Sequence, residues 1–116
     1  MKIAVIGGSG FVGTKLIDLL IQEPDNEIRN IDKVTSVKHP AITHIGNVLD
    51  CSVLVAGLAG IELVILLAAE HRDDVTPVSK YYDVNVNGMK NTLNAMEANG
   101  IKRIIFTSSV AVYGLD

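Results

Sequence analysis

Short apolar runs recur along the chain and are separated by longer segments with helical spacing. The runs that we interpret as strands are Ile3–Ile6, Ile28–Ile31, Ile42–Ile45, Leu63–Leu67 and Ile104–Phe106. We expect these strands to be continuously apolar rather than alternating, which is typical of parallel strands covered on both faces. Strands that alternate with helices predict a doubly wound α/β sheet, with the strand order 3-2-1-4-5.

Three segments between the strands have the spacing and the end signals of helices. They are residues 10–22, 50–60 and 77–99. The first places four apolar residues on one face, Leu16, Ile17, Leu20 and Ile21. Asp50 or Ser52 can cap the second helix. Pro77 suits the start of the third, and Gly100 suits its C-terminal end.

Composition narrows the class of protein. With 116 residues, 48% of them hydrophobic, the chain can bury one core. A net charge of −3 without a basic patch argues against nucleic-acid binding. The single cysteine, Cys51, cannot form an intrachain disulfide, and the apolar stretch from Leu63 to Ala69 is too short to span a membrane. We expect a cytoplasmic protein with no membrane segment.

The first strand runs directly into a glycine-rich turn, Gly7-Gly8-Ser9-Gly10-Phe11-Val12-Gly13, which opens the first helix. We expect Gly7 to permit a tight turn, Gly10 to let the backbone approach a pyrophosphate, and Gly13 to let helix and strand pack closely. The helix N-terminus adds unpaired N–H groups and a positive dipole end. A merely flexible turn is the alternative, but the strand–turn–helix context favours a Rossmann-type dinucleotide site.

An acidic residue, Asp32, follows the second strand about 20 residues after the glycines. A carboxylate there can accept hydrogen bonds from the adenosine ribose and repel a 2′-phosphate, which favours NAD over NADP. The adjacent Lys33 weakens that exclusion. The alternative interpretation is a solvated pair of loop residues.

With these residues and others farther along, the chain resembles the extended short-chain dehydrogenase/reductase family, and within it the nucleotide-sugar epimerases and dehydratases. The resemblance covers essentially the whole chain and is carried by residues 7–13, Gly46–Asp50, Val64–Ala69, Tyr81–Gly88 and Thr107–Gly114. The family usually has Asp where this chain has Asn47, whose amide can still bond adenine. It often has His where this chain has Leu66.

The resemblance implies a set of contacts to NAD. These are Gly7, Gly10, Phe11, Val12, Gly13, Asp32, Lys33, Asn47, Val48, Leu67, Ala68, Ala69 and Asn85. Asn85 also stands out on helical spacing, because it interrupts an apolar stripe that includes Met89 and Met96. It either tethers the helix to the backbone or supports the strand end beneath the nicotinamide.

Ser109 is the catalytic serine that the resemblance implies, since it follows the fifth strand and can hydrogen-bond a sugar hydroxyl that is oxidised. A capping serine is the alternative. The polar loop Glu70–Asp74 also follows a strand and can contact phosphate or sugar, or be solvated.

The family's catalytic Tyr-x-x-x-Lys pair does not occur in residues 1–116. We therefore expect this NAD-binding domain to be partial, truncated before the rest of the sheet and the substrate domain, and inactive by itself. The parent enzyme would act on a nucleotide sugar by hydride transfer. A non-catalytic dinucleotide-binding or sensor module is the alternative. An exposed fifth strand would favour a homo-oligomer.

Overall fold

In the computed structural model, residues 1–67 and 78–106 are described, with 78–85 described by their backbone alone. Five parallel strands form one sheet in the order β3-β2-β1-β4-β5, which confirms the predicted topology. The strands are β1 (Lys2–Ile6), β2 (Glu27–Asp32), β3 (Thr43–Ile45), β4 (Leu63–Leu66) and β5 (Ile104–Phe106). Each lies within two residues of its predicted ends.

Within the described residues, three α-helices connect these strands. The first and third lie within one residue of their predicted bounds, but the second ends at Gly57 rather than near Gly60. The three helices are α1 (Phe11–Ile21), α2 (Cys51–Gly57) and α3 (Val78–Ala98), and a single 3₁₀ turn (Pro40–Ile42) precedes β3. The carboxylate of Asp50 caps α2 by accepting from the backbone N–H groups of Ser52 and Val53. Gly100, with φ of +70°, follows α3 in the left-handed conformation that favours glycine.

One expectation about apolar patterning is wrong. The strands are not all continuously apolar, because β2 carries Arg29 and Asn30 at its centre. Both are accommodated because their polar groups find backbone or side-chain partners on the two faces of the sheet. On the predicted apolar face of α1, Ile17 is fully buried, while Ile21, the last residue of the helix, is 45% exposed.

The sheet separates two apolar cores, and alternate residues of each inner strand point into one or the other. The first core lies beneath α2 and α3 and contains Ala4, Ile6, Ile31, Leu54, Leu58, Ile61, Val64, Leu66, Ala95, Met96 and Ile101. The second lies beneath α1 and contains Ile3, Val5, Ile17, Ile28, Ile65 and Leu67. This double burial fits a parallel sheet covered by helices on both faces.

Strand β5 is the outermost strand on its side of the described sheet. Ile105 is 50% exposed and Phe106 is 46% exposed. The expected pairing between copies at this strand stays a prediction. Among the described residues, no helix is long and apolar enough to cross a membrane.

Candidate dinucleotide-binding site

The glycine-rich turn is bonded along its first half to β2. The N–H groups of Gly7, Gly8 and Ser9 donate in succession to the Ile31 carbonyl (2.8 Å), Asn30 Oδ1 (2.9 Å) and Asp32 Oδ2 (2.9 Å). Three consecutive N–H groups of the turn are therefore engaged within the protein. The donors that remain for a bound anion begin at the next residues, where α1 starts.

The three glycines of the motif have different surroundings. Gly7 has φ of +88°, a conformation that a side chain would strain. A Cβ on Gly13 would lie 2.4 Å from the Cα of Gly8, so the close approach is between helix and turn rather than between helix and strand. A Cβ on Gly10 would meet no atom of the described residues within 4 Å. The turn is thus tightly packed at its ends and open at Gly10.

The N-terminus of α1 offers backbone donors beside this open space. Gly10 is its N-cap residue, and no side chain caps that end within the described chain. The first intrahelical bond runs from the Thr14 N–H to the Gly10 carbonyl, so the N–H groups of Phe11, Val12 and Gly13 have no intrahelical acceptor. The first turn carries no acidic residue. This end of the helix can therefore receive an anion without displacing a cap.

Asp32 ends β2 beside the turn and is half-buried. Its Oδ2 accepts from the Ser9 N–H, and its Oδ1 accepts from the Lys33 N–H at 2.7 Å. These two bonds hold the carboxylate in one orientation. Each oxygen keeps a further lone pair that can accept from a ligand hydroxyl.

The loop between β3 and α2 places Asn47 and Val48 at the same end of the sheet. Asn47 is exposed, and its Oδ1 accepts from the Leu49 N–H at 2.9 Å, which leaves the amide NH₂ as a donor. Helix α3 holds this loop, because Asn91 Nδ2 donates to the Val48 carbonyl at 3.0 Å. A Cβ on Gly88 would lie only 3.0 Å from Val48 Cγ2, so the two segments are in close contact.

Of the other predicted site residues, the structure describes Leu67 fully and Asn85 by its backbone. Leu67 is 8% exposed, and its Cβ and carbonyl lie next to Gly7. Asn85 lies on α3 one turn before Met89, and its side chain is not among those described. Ala68, Ala69, Ser109 and the loop Glu70–Asp74 lie outside the described residues. The structure brings together the glycine turn, Asp32 and Leu67.

Two carboxylates near the site have a lowered pKa. A hydrogen bond from Lys38 and a second from His39 lower the pKa of Asp18, on α1. A hydrogen bond from the Ser52 hydroxyl, with help from the backbone, lowers the pKa of Asp50. Both carboxylates are on the surface. Asp18 joins α1 to Lys38 and His39, and Asp50 caps α2. The described residues contain no cluster of potential metal ligands.

Three polar residues of the site were not predicted: Ser9, Asn30 and Thr43. Asn30 is fully buried and contacts both of the others. A signal was available in the sequence, because an amide in the middle of a buried parallel strand needs partners. The pattern alone could not say which partners those are.

The fold and the glycine turn define a dinucleotide-binding domain of the short-chain dehydrogenase/reductase class. Residues 4–116 match the 3-beta hydroxysteroid dehydrogenase/isomerase family, and the chain belongs to that family.

The relatives include enzymes that act on sugars. The chain is 59% identical over 115 residues to N-acetyl-alpha-D-glucosaminyl-diphospho-ditrans,octacis-undecaprenol 4-epimerase of Escherichia coli O157:H7, covering 99% of this chain and 34% of that one. A short-chain dehydrogenase/reductase superfamily protein from Agrobacterium tumefaciens, solved with bound NAD, has a TM-score of 0.83 at 27% identity, over 97% of this chain and 34% of that one.

A third relative is UDP-glucose 4-epimerase from Thermotoga maritima, solved with UDP-glucose. It has a TM-score of 0.80 at 26% identity, over 93% of this chain and 38% of that one. The chain therefore spans about a third of the length of the relatives it matches.

Proposed function

We propose that residues 1–116 form part of the NAD(H)-binding domain of an enzyme that transfers hydride at a sugar hydroxyl carbon. One observation carries the proposal. The turn is held against β2 by three N–H groups, while among the described residues the space at Gly10, the N-cap of α1, is open and no side chain caps that helix end. These residues fit a pyrophosphate, which needs close backbone approach and N–H donors.

The residues around this space would contact NAD through both backbone N–H groups and side chains. The N–H groups of Phe11, Val12 and Gly13 would bond the pyrophosphate oxygens. The side chains of Phe11 and Val12 are each 69% exposed and would cover part of the bound molecule. Lys15 Nζ lies 5.4 Å from the centre of the Phe11 ring and supports its position.

The adenosine half of NAD would lie along the ends of β2 and β3. The Asp32 carboxylate would accept from the ribose hydroxyls and disfavour the 2′-phosphate of NADP, with Lys33 beside it. The free NH₂ of Asn47 would donate to adenine, and Val48 would line the ring. Leu67, Ala68, Ala69 and Asn85 would lie toward the nicotinamide.

When bound, NAD supplies a hydride acceptor and donor, so the protein has to orient the sugar and move its hydroxyl proton. Ser109 is our candidate to hydrogen-bond that hydroxyl. The whole protein's substrate class is proposed to be a nucleotide sugar, by similarity to the UDP-glucose 4-epimerase. The 59% identical relative is named for a diphospho-undecaprenol sugar, which makes a lipid-linked hexose the second candidate. Both are hexoses carried on a diphosphate.

The proposal is tested with Gly10→Ala and calorimetric titration of NAD. Gly10 has φ of −79°, which alanine adopts freely, so the added methyl group changes the binding space and little else. Loss of a glycine N-cap should cost below about 1 kcal/mol of unfolding free energy. We expect NAD affinity to fall by about tenfold or more, which corresponds to about 1.4 kcal/mol.

Leu19→Ala is the matched control, because Leu19 lies on α1 and is 64% exposed, away from the turn. It should leave NAD affinity unchanged. Titration of NADP should give weaker binding than NAD. A folded wild-type chain that binds neither dinucleotide would overturn the proposed function, and so would unchanged affinity in Gly10→Ala. Assays of the whole protein with a UDP-hexose and a polyprenyl diphosphate hexose separate the two substrate candidates.

A further inference from the structure

We infer that Asn30 is a positioning residue for the phosphate-binding turn, acting through Ser9 and Gly8 rather than by touching the dinucleotide. The inference rests on the proposed function, since it concerns the same site. Asn30 lies in β2, is fully buried and points to the α1 face of the sheet, as Ile28 does two residues earlier.

The amide of Asn30 bonds the turn through both of its ends. Oδ1 accepts from the Gly8 N–H at 2.9 Å, and Nδ2 donates to the Ser9 hydroxyl at 3.0 Å. A Cβ on Gly8 would lie 2.4 Å from Oδ1, so the turn is seated directly on this side chain. The side chain of Asn30 thus fixes the distance between the turn and strand β2.

The same side chain joins the turn to the segments that would hold adenosine. Nδ2 also donates to the Thr43 hydroxyl at 3.0 Å, at the start of β3. The Ser9 hydroxyl donates to the Val34 carbonyl at 2.7 Å, in the loop that follows Asp32. One buried amide therefore connects the β1–α1 turn, the β2–β3 loop and β3.

A role in core packing alone does not account for an amide here. An apolar side chain of similar volume would fill the site without any need for partners, as the neighbouring Ile28 does. Asn30 instead has both N–H groups and its oxygen bonded, and the described residues contain no buried side-chain polar atom without a partner. Such fully bonded buried groups specify one geometry of the segments that they join.

That geometry matters for binding because the next residues carry the pyrophosphate donors. The N–H groups of Phe11 and Val12 follow Ser9 by two and three residues. If the turn loses its bond to Asn30, these donors are no longer held in one position relative to Asp32. A small displacement of such groups is enough to weaken a site that depends on several simultaneous contacts.

The test compares Asn30→Leu with Ile28→Ala, a control on the same strand and the same face that removes apolar packing and no bond to the turn. We expect Asn30→Leu to speed amide hydrogen exchange at Gly8 and Ser9 at least tenfold in the NAD-free chain, and to weaken NAD binding at least tenfold. Ile28→Ala should lower stability but keep the NAD dissociation constant within twofold of the wild-type value.

Asn30→Asp and Ser9→Ala keep the inference testable if Asn30→Leu does not fold. The carboxylate of Asn30→Asp can still accept from the Gly8 N–H, so this variant should retain more protection at Gly8 than Asn30→Leu. Ser9→Ala removes the link to Val34 and should weaken NAD binding with Gly8 still protected. Exchange and NAD affinity that match the wild type in Asn30→Leu, or in both Asn30→Asp and Ser9→Ala, would overturn the inference.

Different results would contradict the proposed function and the positioning role of Asn30. A wild-type chain that does not bind NAD contradicts the proposed function, while hydrogen exchange at Gly8 still decides whether Asn30 holds the turn. If the wild type binds NAD and Asn30→Leu binds it equally tightly, the positioning role of Asn30 is contradicted and the proposed function is not.

Discussion

The two faces of the sheet are built from alternate residues of the same strands, yet they differ in chemistry. Among the residues whose side chains are described, the face beneath α2 and α3 buries eleven apolar side chains in one cluster, and the count for the other face has the same basis. The face beneath α1 buries six, and toward the carboxyl end of β2 it continues into the bonded group Asn30, Ser9 and Thr43. The first face can supply most of the stability, and the second can set the shape of the turn that would bind phosphate.

One strand can therefore supply both an apolar side chain that packs in a core and a polar side chain that holds a neighbouring turn. In β2, Ile31 points into the larger core, while Asn30, one residue earlier, points to the other side. Because side chains alternate along a strand, neighbouring residues can serve different layers. Three substitutions test whether the two faces have these separate roles.

The largest effect on stability is expected for Leu54→Ala. Leu54 is fully buried in α2 at the larger core, and its truncation should lower the unfolding free energy by about 2–5 kcal/mol. Urea unfolding followed by circular dichroism measures the loss. NAD affinity of the fraction that remains folded should change little, because Leu54 lies in the larger core, on the face of the sheet opposite α1 and Asn30. A loss of less than about 1 kcal/mol would show that this face does not dominate stability.

Gly13→Ala should have an intermediate effect and should affect both properties. The added methyl group would meet the backbone of Gly8 at 2.4 Å, and backbone yields less readily than a side chain. We expect a loss of about 1–3 kcal/mol in stability, together with weaker NAD binding as the turn shifts. Unfolding and calorimetry on one preparation measure the two effects. Stability loss without any change in affinity would separate the packing of the turn from its binding role.

The smallest effect is expected for Asp18→Asn on the surface of α1. Asp18 pairs with Lys38 Nζ at 2.9 Å and His39 Nε2 at 2.7 Å, which ties α1 to the β2–β3 loop. Its pKa is lowered, first by the hydrogen bond from Lys38 and then by that from His39. A lowered carboxyl pKa stabilises the fold above the usual carboxyl pKa, and the contribution disappears as pH falls through the lowered value.

The wild type should therefore be slightly more stable than Asp18→Asn at about pH 6, and this advantage should be smaller at about pH 3, below the usual carboxyl pKa. Urea unfolding at the two pH values measures this difference. An advantage of the wild type that is equally large at the lower pH would show that the aspartate acts through packing or shape rather than charge.

Prediction from sequence succeeded where a local signal was strong. Gly7 has the left-handed conformation that the turn requires, and Asp50 caps α2 as expected. It failed for β2, which was expected to be continuously apolar but carries Arg29 and Asn30 at its centre. The roles of the predicted NAD contacts and of Ser109 stay predictions, because they depend on a ligand and on residues outside the described part.

The alternation of strands and helices and the position of the glycine turn follow from the sequence alone, because hydrophobic spacing and capping signals are local. Only the tertiary structure decided that Asn30 lies under that turn and meets Ser9 and Thr43. These contacts join residues 13 to 22 positions apart, and their existence depends on how three segments pack rather than on the preference of any one of them.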